Sequence, residues 1–279
     1  MLTIDCKKEM RDKAFQYHKI GKTIGFVPTM GYLHEGHLNL VRKAKEISDI
    51  VVVSIYVNPT QFGEGEDFSR YPRDHERDIR LLEMANTDIV FLPKEQSMYN
   101  HDHLTWVKVE KMSDLLCGRS RKGHFRGVAT IVLKLLNIVT PNLLFMGEKD
   151  YQQIVILEKM IDDLDLPVRI IRCPTIREKD GLAMSSRNSY LSVENRRNAT
   201  ALHQALLRAR ELYRQGMKES KKVISEIGQY IEARSGNIDY IDVIDSNTLS
   251  SIPQLKEGCR LVLAVFFEGT RLIDNIEIS

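Results

Sequence analysis

The chain is short of several things that would narrow its class at once. It has one tryptophan and four cysteines in 279 residues, and Cys6, Cys117, Cys173 and Cys259 are scattered without C-x-x-C spacing. That pattern supports neither a disulfide framework nor a zinc site, and four free thiols are expected. No run of about 18 apolar residues occurs, which excludes a helical membrane span. The start, Met1-Leu2-Thr3-Ile4-Asp5 followed by charged residues, lacks the apolar stretch of a secretory leader, so a cytoplasmic location is expected. An excess of one charge is missing too: 40 Lys and Arg face 38 Asp and Glu, a formal net charge of +2. General attraction to nucleic acid is not indicated. Internal repeats and low-complexity tracts are absent.

What is there suits a soluble enzyme. With 43% hydrophobic and 28% charged residues, the chain can bury a sizeable core in one large domain or two smaller ones. Strand-like runs alternate with helical patterns. Thr23 to Val27 is short, partly β-branched and bounded by Gly and Pro; Ile50 to Val57 is a continuous β-branched run of the kind buried on both faces of a parallel sheet. Asp88 to Leu92, Asn142 to Met146 and Val168 to Arg172 add three more strands. Arg73 to Ala85, Val128 to Val139 and Tyr151 to Leu164 are long enough for crossover helices, which predicts a doubly wound α/β sheet.

Near Cys173-Pro174-Thr175 the pattern changes. Glu194 to Tyr213 and Lys218 to Arg234 read as helices, Asp239 to Asp245, Arg260 to Phe267 and Leu272 to Ile278 as strands. This predicts a first domain over 1–175 and a smaller α+β domain over 176–279 that acts as a lid.

The most informative stretch is Val27-Pro28-Thr29-Met30-Gly31-Tyr32-Leu33-His34-Glu35-Gly36-His37. Leu38, Leu40, Val41, Ala44 and Ile47 recur at helical spacing after it, so a helix should start near Glu35 to Leu38. The loop then empties onto a helix N-terminus, where unpaired N–H groups and the dipole favour a phosphate. His34 and His37, three residues apart, can add donors. Further polar segments follow: Val57-Asn58-Pro59 with Gln61-Phe62, Gly123-His124-Phe125-Arg126-Gly127-Val128, Gly147-Glu148-Lys149-Asp150 with Gln152-Gln153, and Asp180-Gly181-Leu182-Ala183-Met184-Ser185-Ser186-Arg187-Asn188.

A site that binds phosphate groups must supply positive charge and donors around them. Lys149, Arg187, Ser185, Ser186, His34 and His37 are such a set. Gln61 and Gln153 are neutral two-ended amides, suited to hydroxyl and carboxylate oxygens without burying another charge.

An H-x-G-H loop followed by a distant Met-Ser-Ser-Arg loop resembles the nucleotidylyltransferase superfamily. All five segments, in order from Thr23 to at least Leu191, are similar to the pantothenate synthetase family of pantoate and β-alanine ligases. Two positions depart from its usual form, Tyr32 where a small residue or Asn is common and Met146 where Phe is common. The resemblance implies a Rossmann-like domain and ATP-dependent condensation of pantoate with β-alanine through a pantoyl adenylate, releasing AMP and pyrophosphate. It implies His37, His34 and Lys149 as catalytic residues. For ATP it implies Met30, Gly31, His34, Gly36, His37, Gly147, Glu148, Lys149, Asp150, Ile176, Met184, Ser185, Ser186 and Arg187. Pantoate falls to Gln61 and Gln153, and β-alanine to Gln61 and Asn58. Magnesium accompanies ATP, with no protein ligand to the metal assigned, and a cytoplasmic homodimer is expected. The runner-up is another nucleotidylyltransferase of the superfamily, acting on a different acid or a phosphorylated acceptor. A tRNA-charging enzyme would want a basic RNA-binding region that the last 100 or so residues do not offer, and a regulator without turnover would not need the intact polar set.

Two segments stay open at this level. Gly63 to Pro72 suits either a gate or a plain surface loop. Arg119 to Arg126 suits phosphate or an internal ion pair better than RNA, given the near-neutral charge. His101-Asp102-His103 has metal-ligand residue types but no further partner nearby.

Overall fold

Runs too short for helices and too apolar for a surface become the strands of one parallel sheet. The computed structural model describes Met1 to Ser279. Along the first part of the chain come β1 (Leu2–Ile4), α1 (Lys7–Lys19), β2 (Ile24–Thr29), α2 (Glu35–Ile47), β3 (Ile50–Ile55), α3 (His75–Met84), β4 (Ile89–Phe91) and the short α4 (Glu95–Met98). They are followed by the short α5 (Cys117–Ser120), α6 (His124–Val139), β5 (Leu143–Gly147), α7 (Tyr151–Asp163) and β6 (Arg169–Cys173). The six strands lie in the order β1-β4-β3-β2-β5-β6, all parallel. Chain order reverses between β2 and β5, which is the crevice where doubly wound sheets bind ligands at strand carboxyl ends. One face is sealed by α2, whose Leu40, Val41 and Ala44 pack on Val27, Val51, Val53, Val90 and Phe145. Each large side chain so buried contributes about 1.5–3 kcal/mol.

Two elements at the amino end carry little sequence signal. The three-residue β1 is an edge strand with only Ile4 buried, and α1 buries only Met10 and Ala14.

The chain divides into two compact units, one of Met1–Ser113, Arg121–Glu148 and Gln153–Pro174, the other of Asp114–Ser120, Lys149–Gln152 and Thr175–Ser279. Along the sequence the main boundary is Pro174/Thr175, but two short earlier stretches group with the second unit. The reason is bonding: Asn275 Nδ2 donates to the Lys149 carbonyl at 3.0 Å, Tyr151 OH to the Ser246 carbonyl at 2.8 Å, and Ser120 Oγ to Asp239 at 3.0 Å.

In the second unit α8 (Val193–Asn198), α9 (Ala201–Arg214) and α10 (Ser220–Glu232) precede an antiparallel sheet of β7 (Asn237–Ile244), β8 (Arg260–Phe267) and β9 (Thr270–Glu277), in that order. The core joins Leu202, Ala205, Leu206 and Ala209 of α9 and Val223, Ile227 and Ile231 of α10 to Leu261, Leu263 and Val265 of β8. The single helix expected over Glu194 to Tyr213 is in fact two. Thr200 Oγ1 donates to the Arg197 carbonyl at 2.7 Å and Thr200 N to the same oxygen at 3.2 Å, closing α8 in a tighter turn before α9 begins. The four cysteines are free, with Cys117, Cys173 and Cys259 buried, and no helix is long and apolar enough to cross a membrane.

Candidate active site

The loop after β2 is shaped by a carboxylate that sequence reading does not single out. Asp78, on α3 and 1% exposed, accepts from Tyr32 N and Leu33 N, each at 2.7 Å. Thr29 Oγ1 donates to the Ser54 carbonyl at 2.8 Å and accepts from Gly31 N at 3.2 Å. Gly31 has a φ of 81°, and a Cβ there would sit 2.9 Å from Ile55 and 3.0 Å from the Asp78 carboxylate. Both conformation and space require glycine. Tyr32 follows at φ 49°, also left-handed. Asn and Gly occupy that region more readily than a bulky residue. Here the Asp78 bond and the Arg77 guanidinium 5.3 Å from the Tyr32 ring hold it. Met146, the other departure, is a buried core residue of β5, so the change from Phe alters packing and no polar atom.

The helix begins at Glu35, as the spacing predicts, with His34 as its N-cap. His34 Nδ1 accepts from Gly36 N at 3.1 Å and His37 Nδ1 from His34 N at 3.3 Å, with the two rings 4.0 Å apart. Because each Nδ1 accepts a main-chain N–H, the proton of each neutral ring sits on Nε2. The pair therefore presents two Nε2 donors where the α2 dipole is positive.

After β3, the turn Pro59–Gln61 carries Gln61, whose Nε2 reaches Met30 Sδ on the first loop at 2.8 Å. Asn58 at its start is 1% exposed. The Gly123-to-Val128 segment buttresses this turn: His124 Nδ1 donates to the Gln61 carbonyl at 2.7 Å and Arg121 Nη2 to the same oxygen at 3.2 Å. Arg121 also grips Glu66 through Nε at 2.8 Å and Nη2 at 2.5 Å. The internal ion pair open for the basic stretch is present at Arg121. It ties down the Gly63-to-Pro72 loop, where Phe62 packs edge-on against Phe68 and Tyr71 at 5.3 and 5.9 Å. Burial pushes the Glu66 carboxyl up, but the Arg121 bonds outweigh it and leave it below the usual glutamate range. His103, of the His101-Asp102-His103 stretch, packs edge-on between Tyr99 and Trp106, each at 5.0 Å. It is part of an aromatic cluster, and no group of three or more His, Cys, Asp or Glu side chains is arranged to hold a metal.

The second unit carries the other polar set. Ile176 and Met184 face each other across a tight hairpin, Met184 N donating to the Ile176 carbonyl at 3.0 Å. The hairpin is braced at both sides. Arg177 pairs bidentately with the buried Asp274 at 2.6 and 3.0 Å, and Arg196 with Asp180 at 2.8 and 3.1 Å. Ser185 Oγ then caps a tight turn over Ser186–Tyr190, accepting from Arg187 N at 3.3 Å. The Lys149 main chain is held by Asn275, which itself accepts from Arg260 at 2.6 Å. Thus Met30, Gly31, His34, Gly36, His37, Asn58 and Gln61 gather at strand ends of the first unit. Gly147 ends β5, Glu148 follows it and Gln153 lies in the first turn of α7, while Lys149, Asp150, Ile176, Met184, Ser185, Ser186 and Arg187 belong to the second.

This layout has relatives. The family model for pantoate-beta-alanine ligase matches residues 2–277. The chain belongs to the pantoate-beta-alanine ligase family. As a member it is an enzyme, a ligase of pantoate and β-alanine. The pantothenate synthetase of Acetivibrio thermocellus is 50% identical over 261 residues, 93% of each chain, and that of Fervidobacterium nodosum 49% identical over 279 residues, 100% of each. Among solved structures, pantothenate synthetase from Thermus thermophilus has a TM-score of 0.94 at 42% identity, covering 100% of this chain and 99% of that one. The pantoate-beta-alanine ligase of Francisella tularensis, solved as a complex with beta-gamma ATP and beta-alanine, has a TM-score of 0.84 at 35% identity, covering 99% and 97%. Similarity to these ligases along the whole length favours this family over other nucleotidylyltransferases.

The supports of these loops can be tested separately. Asp78→Asn keeps the volume but sets an NH2 against main-chain donors, so urea melts should show a loss of about 1.5–3 kcal/mol, and turnover should fall with it. Unchanged stability and turnover would remove Asp78 from its role. Glu66 has a depressed folded pKa, so its contribution is full above the ordinary glutamate range and is lost as pH falls through the lower folded value. Hydrogen exchange of the Gly63-to-Pro72 amides should speed up across that acid window, and in Glu66→Gln the acid-dependent step should vanish.

Proposed function

We propose that the ligase works in two half-reactions: pantoate attacks the α-phosphate of ATP to give pantoyl adenylate and pyrophosphate, then the β-alanine amine displaces AMP to form pantothenate. The observation that carries this reading is the His34 and His37 pair, with both Nε2 donors set at the N-terminus of α2, beside the strand-order reversal. A donor pair there stabilises negative charge growing on the phosphate and pyrophosphate oxygens. His37 is assigned to the α-phosphate and His34 to the triphosphate. Met30, Gly31 and Gly36 supply main-chain contacts to the nucleotide, and Lys149, Ser185, Ser186 and Arg187 bind its phosphates. Gly147, Glu148 and Asp150 serve the ribose, and the main chain of Ile176 and Met184 the adenine. Gln61 and Gln153 bind pantoate, and Gln61 with Asn58 serves β-alanine.

The residues assigned to the phosphates are cationic or neutral, so magnesium is proposed to enter as part of the substrate, bound to the triphosphate. No protein nucleophile is required, because the adenylate already stores the activation. Burial pushes the Cys173 and Cys259 thiols up, which suits a packing role for both. A cytoplasmic homodimer is the proposed state, as the family resemblance implies.

Pyrophosphate release should require pantoate among a panel of hydroxy acids; release indifferent to pantoate would sink the reading. His37→Ala should slow it on the order of 100-fold or more with little change in folding, and wild-type turnover in that variant would refute the assignment. Incubated with ATP, magnesium and labelled pantoate alone, then denatured, the protein should show its unmodified mass beside a free small-molecule adenylate. A stoichiometric protein adduct that transfers to β-alanine would mean a covalent route.

A further inference from the structure

The side chain of Asn58 has its hydrogen-bonding capacity taken up inside the protein. Its Nδ2 donates to Gln61 Oε1 and to the Gly127 carbonyl, each at 3.2 Å, and its Oδ1 accepts from Thr60 Oγ1 at 3.0 Å. That is two donors and an acceptor engaged on a residue 1% exposed. The Gly127 carbonyl decides the direction. A carbonyl can only accept, so the Asn58 atom facing it must be nitrogen. The second hydrogen on that nitrogen points at Gln61, which must answer with Oε1. The far end of the Gln61 amide is therefore NH2, with one contact to Met30 Sδ.

The same direction holds upstream. The Thr60 hydroxyl proton is committed to Asn58, so Tyr99 OH, 3.1 Å from Thr60 Oγ1, is the donor of that pair. Burial keeps the Tyr99 phenol protonated. Tyr99, Thr60, Asn58 and Gln61 form a one-way chain anchored on Gly127. Glycine makes the anchor possible: a Cβ at 127 would lie 2.3 Å from the Thr60 carbonyl oxygen and 2.8 Å from Gln61 N, so any side chain would push α6 off the turn.

We infer that Asn58 is a positioning residue: its amide, oriented by the Gly127 carbonyl, turns the Gln61 NH2 outward, so that Gln61 meets pantoate as a hydrogen-bond donor to an oxygen acceptor. This rests on the assignment of Gln61 to pantoate above. Asn58 then contributes to pantoate binding through Gln61 and makes no pantoate contact of its own. A fixed donor suits a carboxylate or hydroxyl oxygen and discriminates against an acid analogue that presents N–H at the same point.

A double-variant cycle separates the two claims. Asn58→Ala and Gln61→Ala should each raise the pantoate KM about tenfold while the ATP KM moves less than about threefold, and the double variant should match Gln61→Ala within about twofold. If Asn58→Ala multiplies the KM of Gln61→Ala by the full factor it shows alone, Asn58 acts independently and the inference is overturned. An unchanged pantoate KM in Gln61→Ala would instead overturn the pantoate assignment itself. Gln61→Glu keeps Asn58 in place and swaps the outward NH2 for an oxygen. Its pantoate KM should rise about tenfold near pH 8, where the carboxyl is ionised. A wild-type pantoate KM in Gln61→Glu near pH 8 would refute the donor role, even if Asn58→Ala does not fold.

Discussion

The buried carboxylate of Asp78 is the constraint on which the candidate loop of the first unit depends. Two consecutive main-chain amides, of Tyr32 and Leu33, end on its two oxygens. Gly31 and Tyr32 both take positive φ to bring those amides round. A loop that turns so sharply between a strand and a helix leaves several N–H groups pointing inward, where each unmet donor costs about 1–3 kcal/mol. One carboxylate, delivered by α3, meets two of them. The His34 cap and the start of α2 follow from the path this sets, and so do the main-chain bonds that the Nδ1 atoms of His34 and His37 accept.

The turn after β3 is governed by the opposite arrangement, main-chain acceptors that fix side-chain donors. The Gln61 carbonyl is held by His124 and Arg121, and the Gly127 carbonyl fixes the polarity of Asn58. Around Arg121 the same guanidinium serves the Glu66 carboxylate and the turn. A half-buried ion pair of this kind is worth little by Coulomb energy after desolvation; its use here is geometric, since it joins a surface loop to the turn that carries Gln61. The second unit braces its own loop by two bidentate pairs, Arg177 with Asp274 and Arg196 with Asp180. Lys149 belongs to that unit because its carbonyl bonds to Asn275 of β9. The chain thus spends its charged residues on rigidity near the site, while the groups proposed to meet substrate are mostly neutral donors.

Much of this was legible in the amino-acid order alone. The β-branched run at Ile50, the Gly- and Pro-bounded Ile24 strand and the helical spacing after His37 are local signals, and each produced its element because strand and helix periods are written into adjacent residues. The segment motifs likewise marked the strand ends, since Gly, Pro, Asn and His cluster where backbone must turn and donors must face a ligand. What only tertiary structure decided were relations between residues far apart in the chain. Nothing near Asp78 says that it will cap a loop 45 residues earlier, and nothing in His124 or Gly127 says that they will support Gln61. The break between α8 and α9 turned on a single Thr200 hydroxyl competing for a carbonyl, and the grouping of Lys149 with the carboxyl-terminal sheet on one long-range bond. Such pairings depend on which faces the sheet and helices bring together, and a hydrogen bond has a direction and a length that no local pattern encodes.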